Sequence, residues 1–297
     1  MKMAMYKMNH NQYLGNCFSV VCENETIPKG FTRSEVTVFI KTTEEIWNTV
    51  NTLEELKQAD LFGDREPYLR IASECMLGMM GDSHCDCEQE RVKALKKIGS
   101  ATGVYIHLPQ EAQGMGLFYK AKELHLQVHG YLPSGEFVGC QTQTDAAFLL
   151  TGHKIIDIRE FDFVGKMMHE LCMDHYHYIF MSRNPAKVKS LKKSGITIDG
   201  MYDIATRMNA DNMGEYLTKW IEKGYCFTLD EVEQVLERMD SEEILPVRAK
   251  TLLTKAADML ETDAGRAYLK KHLYVSEKVQ ERLFSAIMEQ YGNQTAA

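Results

Sequence analysis

A chain of 297 residues with 44% hydrophobic and 26% charged residues has an ordinary globular composition and can bury a full core, which excludes collagen, coiled-coil fibres and intrinsic disorder. Its 34 basic and 42 acidic residues leave a formal net charge of −8, which excludes a nucleic-acid binder working through global charge but allows a local basic pocket for phosphate. No stretch reaches the roughly 18 apolar residues that span a bilayer. The opening MKMAMYKMNHNQ lacks an apolar signal core, so a reducing, cytoplasmic setting without disulfides or membrane is expected.

Residues 1–67 mix short apolar runs with turns; Val36–Ile40 is β-branched and reads as a strand, and residues 44–60 carry a weaker helical pattern. Pro67–Ala72 reads as a strand that delivers Ser73, Glu74 and Cys75 at its end. After Cys87, the apolar Val92, Leu95 and Ile98 recur at helical spacing until Gly99. Val104–Leu108 is a buried strand, followed by the polar loop PQEAQGMG and a helix over about 117–127. Residues 130–144 form a turn-rich excursion. Phe161, Val164, Met168 and Leu171 mark another helix, and Tyr178–Met181 a strand. Asn184, Pro185 and Gly195 fit the N-cap, first position and C-terminal cap of the next helix. This alternation predicts an α/β architecture over residues 68–200. Thr228 and Glu231 form a capping box ahead of Val232, Val235, Leu236 and Met239, and further helical stretches at 249–260 and 276–290 make 227–297 an all-helical extension.

Of eight cysteines, Cys17, Cys22, Cys140, Cys172 and Cys226 are scattered and read as small buried hydrophobes. Cys75, Cys85 and Cys87 sit together, which suits a soft tetrahedral metal site, zinc above all. Three protein ligands would leave a position for water, as in a catalytic zinc site. Two other readings are three unrelated buried thiols, or a site closed by His84, whose adjacency to Cys85 is awkward. His125, His129, His169, His175 and His177 match no ligand spacing and read as core or surface residues.

The segments Arg70-Ile-Ala-Ser-Glu-Cys75, Cys85-Asp-Cys87, Gln110-Glu-Ala-Gln-Gly-Met-Gly-Leu117, Asp157-Ile-Arg-Glu-Phe161 and Ser182-Arg-Asn-Pro-Ala-Lys187 occur in the order of a known pattern. In these segments, over residues 15–225, the chain resembles GTP cyclohydrolase II, which opens the guanine ring of GTP at the start of riboflavin synthesis. The resemblance implies a mixed-sheet catalytic domain over 1–226, with 227–297 outside it. It implies zinc on Cys75, Cys85 and Cys87, magnesium with the nucleotide phosphates, GTP as substrate, and a homodimer. A zinc-bound water would then attack C8, a second hydrolysis would release formate, and Asp157 would act as proton acceptor. The family assigns the arginine at Arg159 as nucleophile toward the α-phosphorus; charge stabilisation of leaving pyrophosphate is physically easier for a guanidinium. Arg70, Ser73, Glu74, Glu90, Glu111, Gln113, Ser182 and Lys187 fall at nucleotide-binding positions.

The chain also departs from the pattern. Ala112 and Gln113 replace the glycine and arginine of Q-E-G-R, Glu90 replaces a glutamine, and Leu124 stands where the family has tyrosine. Arg183 stands where the family prefers asparagine and offers a cation in place of the one lost at Gln113. The cysteine loop is one residue shorter than usual, and about a dozen extra residues fall in the 130–144 excursion. These differences leave room for a paralogue that acts on another nucleotide or stops at the formylated intermediate, or for a zinc-containing regulatory protein without turnover. Gln113 and Leu124 lean toward the regulatory reading; the intact cysteines with Asp157 and Arg159 lean more strongly toward an enzyme.

Overall fold

Seven strands form one mixed sheet. The computed structural model describes residues 1–154, 157–241 and 244–292. The strands are β1 (Lys2–Asn11), β2 (Gly15–Glu23), β3 (Glu35–Lys41), β4 (Tyr68–Ser73), β5 (Gly103–Leu108), β6 (His177–Phe180) and β7 (Thr197–Met201). Their spatial order is β1-β2-β3-β5-β4-β6-β7. The first three and β5 pair antiparallel, whereas β4 lies parallel between β5 and β6, and β6 pairs parallel with β7. In β3, Val36, Val38 and Ile40 are fully buried at every second position, as the side-chain period of two requires. Val104, Ile106 and Leu108 of β5 join them in the core.

The helices are α1 (Glu44–Thr49), α2 (Leu53–Gln58), α3 (Met76–Met79), α4 (Cys87–Gly99), α5 (Leu117–His129), α6 (Gln143–Thr151), α7 (Asp162–Glu170), α8 (Pro185–Lys193), α9 (Met213–Ile221), α10 (Leu229–Asp240), α11 (Val247–Leu260), α12 (Asp263–Lys271) and α13 (Glu277–Tyr291). The pattern expected over 44–60 divides in two because Thr43 and Thr52 each accept a backbone N–H three residues on, at 3.3 and 3.2 Å. Asn184 caps α8 by accepting from the Ala186 N–H at 2.9 Å, with Pro185 at the first helical position and Gly195 at φ 79° beyond the end. Helix α6 was not expected; Thr142 caps it inside the excursion. Of the five cysteines read as buried hydrophobes, Cys17 and Cys22 are buried, and burial pushes their thiols up to about 11 and about 12. Cys140 and Cys226 are half-buried, and Cys172 is exposed in the turn that follows α7.

The chain divides into two compact units. One comprises Met1–Met80, Cys87–Leu117 and Asp157–Thr206; the other comprises Gly81–Asp86, Phe118–Ile156 and Arg207–Ala297. In the second, Trp220, Leu217, Val235, Leu252, Leu253, Phe284 and Ile287 share an apolar core, with Trp220 stacked on Phe227. Gly214 lets the Arg248 stem approach α9, since a Cβ there would lie 2.7 Å from Arg248 Cδ. The Arg248 guanidinium then donates to Glu215 at 3.1 Å, while its Nε and Nη1 are buried without partners.

Burial alone would raise the Glu215 carboxyl, but Lys223, Arg248 and Lys219 outweigh it and bring it from 4.5 down to about 2. A depressed carboxyl contributes stability that is complete above about pH 4.5 and lost as pH falls toward about 2. Glu215→Gln is expected to cost about 3 kcal/mol at neutral pH, because it strands a buried guanidinium. Urea unfolding checks this, and a loss that did not shrink between pH 4.5 and 2 would refute the charge account.

Candidate active site

Parallel strands β4 and β5 end side by side, and the carboxyl ends of parallel strands are where an α/β sheet leaves a crevice. Strand β4 is flanked by β6 at Tyr68 and Leu69 and paired with β5 as far as Ser73, which fixes its backbone on that side. Beyond it, the Glu74 N–H donates to the Leu108 carbonyl at 2.8 Å, which carries the strand direction on to Cys75. The crevice is lined by Arg70, Ser73 and Cys75 from the β4 end, by Cys87, Glu90 and Arg91 from α4, and by Tyr105 and His107 from β5.

The sulfur atoms of Cys75, Cys85 and Cys87 all lie within 4.8 Å of one another. Tetrahedral zinc with Zn–S bonds of about 2.3 Å needs sulfurs about 3.8 Å apart, so a small contraction completes the set. Three thiols and no carboxylate form the donor set of a soft metal. These residues therefore fit zinc.

Arg70 is buried and donates to the Met181 carbonyl at 2.6 Å and to Glu90 at 2.7 Å. Glu90, which replaces the family's glutamine, thus supplies the counter-charge that a buried guanidinium requires. Arg159 meets Asp157 through Nε at 2.8 Å and Nη2 at 2.5 Å, a two-pronged clamp, and its Nη1 donates to Ser73 Oγ at 3.0 Å. Ser73 also donates to Gln110 Oε1 at 3.3 Å, so these three segments converge on one hydroxyl.

Glu111 is buried and accepts the Met76 N–H at 2.5 Å, which ties its loop to the residue after Cys75. Lys187 is buried and donates to the Ile71 carbonyl at 2.9 Å. Burial first, then the positive charges of Arg70 and Arg159, hold its ammonium well below the ordinary lysine range; Glu90 and Asp157 oppose them. Ser182 is buried and accepts the Asn184 N–H at 3.2 Å, a loop role at the end of β6.

Gln113 offers its carbonyl to the Ile158 N–H at 3.1 Å, joining the loop to the Asp157 segment. Ala112 and Gln113 both adopt left-handed backbone, at φ 48° and 58°. Left-handed conformation costs an L-residue about 1–2 kcal/mol. Restoring glycine by Ala112→Gly is expected to stabilise the protein by about 1 kcal/mol, less whatever entropy the unfolded chain regains. A lower urea midpoint in that variant would show that the loop carries no strain.

Sequence reasoning overlooked Arg33, Tyr105 and His107. Arg33 binds both Glu74 oxygens at 3.1 Å, and His107 Nε2 lies 3.6 Å from Glu74 Oε1. Period two along β5 carried a signal, because Tyr105 and His107 occupy the face opposite Val104, Ile106 and Leu108. Nothing in the sequence near Arg33 announced its pairing with residue 74.

Known proteins resemble this chain in sequence. The pattern of the family described as GTP cyclohydrolase II matches residues 22–203. A GTP cyclohydrolase-2 of Psychromonas ingrahamii is 31% identical over 161 residues, covering 54% of this chain and 74% of that protein. One from Picrophilus torridus is 31% identical over 141 residues, covering 47% and 66%. The riboflavin biosynthesis protein RibBA of Staphylococcus aureus is 27% identical over 158 residues, covering 53% of this chain but 37% of its own length.

Proposed function

The chain belongs to the GTP cyclohydrolase II family of hydrolases, and on that premise we propose that it opens the imidazole ring of GTP at C8 and releases pyrophosphate and formate, as in the first step of riboflavin synthesis. The observation that carries this reading is the grouping of Cys75, Cys85 and Cys87, with Cys75 two residues from the Ser73 hydroxyl that Arg159 engages. Zinc on the three thiolates would lower the pKa of a bound water to about 7. Magnesium would accompany the nucleotide phosphates. In this reading residues 1–226 are the catalytic domain and 227–297 an extension, and the protein works in the cytoplasm as a homodimer.

The chain's own side chains divide the remaining work. Asp157 takes a proton from the attacking water and returns it to the ring nitrogen. Arg159 holds that carboxylate in one orientation through Nε and Nη2. It also places positive charge where pyrophosphate leaves, the role that suits a permanently charged planar fork. Arg70, Ser73, Glu74, Glu90, Glu111, Gln113, Ser182 and Lys187 form the nucleotide cradle. Support for Lys187 is its position within the electrostatic reach of Arg70, Arg159, Glu90 and Asp157; a phosphate there would draw its ammonium off the Ile71 carbonyl.

Leu124 favours a second reading of the product. A leucine cannot orient water or a formamide by hydrogen bonding as a tyrosine would. Attack on the formamide, a poor electrophile, depends more on such orientation than ring opening does. On this second reading a formylamino-pyrimidine nucleotide accumulates. Incubating the protein with GTP and Mg²⁺ and following product mass and formate tests both readings. Formate released in step with GTP consumption would remove the second, and unconsumed GTP would remove the first.

A further inference from the structure

Between two of the metal-site thiols stands a residue with no room for error. Asp86 separates Cys85 from Cys87, and it is 0% exposed. Both its carboxylate oxygens accept from Lys219 Nζ at 2.8 Å. Lys219 projects from α9, where its ammonium also lies 5.3 Å from the centre of the Tyr216 ring and acts on the Glu215 carboxyl. Helix α9 lies beyond the family match, which ends at residue 203.

We propose that Lys219 is a positioning residue for the metal site: it fixes Asp86 and so sets the backbone between Cys85 and Cys87 in the conformation that aims both thiols at one ion. The proposal rests on the zinc reading above and adds to it a component from outside the matched segment.

Two physical arguments carry it. The first is geometric. Only one residue lies between the ligands, so its backbone angles determine how the two sulfurs converge. Within the loop, His84 turns back on Asp82, with its N–H at 3.1 Å and its ring Nδ1 at 2.9 Å. Cys85 Sγ lies 4.0 Å from the Asp82 carbonyl, the outer limit for a thiol bond. The ammonium on Asp86, by contrast, is a doubly engaged charge-assisted contact at 2.8 Å.

The second argument is electrostatic. Three thiolates and a dication sum to −1, and a buried carboxylate one residue away makes −2. A buried carboxylate without a counter-ion is strongly disfavoured. Lys219 returns the total to −1, which allows an acidic residue between two thiolates.

The test uses the full chain loaded with zinc, and reads both zinc transfer to a chromogenic chelator and circular dichroism. Lys219→Met is expected to lower zinc affinity by about 10- to 100-fold, the usual effect of losing a partner behind a metal ligand. Lys219→Arg should restore most of it, because a guanidinium can also hold both oxygens. Where Lys219→Met alone fails to fold, Asp86→Asn with Lys219→Met removes the stranded charge, and this folded double variant should still release zinc faster than the unaltered protein. A folded Lys219→Met or double variant that keeps unaltered zinc affinity overturns the role of Lys219. An unaltered protein that binds no zinc overturns the metal reading itself, so the two failures are distinct.

Discussion

Cys85→Ser is expected to lower bound zinc from one per chain to near none and to slow ring opening of GTP by about 10³-fold or more. The magnitude follows from a metal's contribution of several kcal/mol at a barrier where each 1.36 kcal/mol is about tenfold. Serine is nearly the same size but ionises far less readily and offers a harder oxygen, so the donor set no longer suits zinc. Metal analysis after dialysis reads the stoichiometry directly. Full zinc in Cys85→Ser would remove Cys85 from the ligand set, and with it the meaning of the 4.8 Å grouping. Cys140→Ser serves as the control, since that thiol lies outside the group and is half-buried.

The second large effect is expected in Arg159→Ala. It removes a guanidinium that grips Asp157 at 2.8 and 2.5 Å and reaches Ser73 at 3.0 Å. Pyrophosphate release should fall by about 10²–10³-fold, the range for deleting one preorganised charge donor. Arg159→Lys should recover little, because an ammonium cannot reproduce the two-pronged contact with the carboxylate. Unchanged pyrophosphate release in Arg159→Ala would reduce the Asp157–Arg159 pair to an ordinary ion pair.

The parts of the fold that the sequence disclosed are those with a local physical cause. Val36–Ile40 and Val104–Leu108 were legible because a buried interior strand concentrates β-branched residues. Asn184, Pro185 and Gly195 marked both ends of α8 through capping chemistry that acts within one turn. Strand β1 escaped notice because it lies at the sheet edge and buries no residue fully, so its methionines alternate with lysine and tyrosine. Helix α9 was legible in principle, because Met213, Tyr216, Leu217, Trp220 and Ile221 recur at helical spacing with Glu215, Thr218 and Lys219 between them.

The site divides along the same line. Cys75, Cys85 and Cys87 were legible through their clustering in sequence, and the remaining candidates through segments quoted from a family pattern. The Arg33–Glu74 and Lys219–Asp86 pairs were not, because each joins residues far apart in the chain and only folding brings them together.

Strand β4 has a consequence for how the protein is made. Its neighbours arrive from Gly103–Leu108 on one side and from Ile179–Phe180 on the other. A ribosome adds about 5–20 residues per second, so Cys87 leaves it on the order of 5–20 s before the second neighbour exists. Throughout that interval all three thiols are present beyond the end of a strand with one open flank. Nascent chains held at residue 170 should therefore react with a thiol reagent at Cys75, which is buried in the finished fold, and chains extended past residue 201 should not react there; equal labelling of Cys75 in both would show that the flank closes without β6. Synthesis thus presents the ligands to the cell's metal pool, and to its oxidants, before the sheet that shelters them is complete.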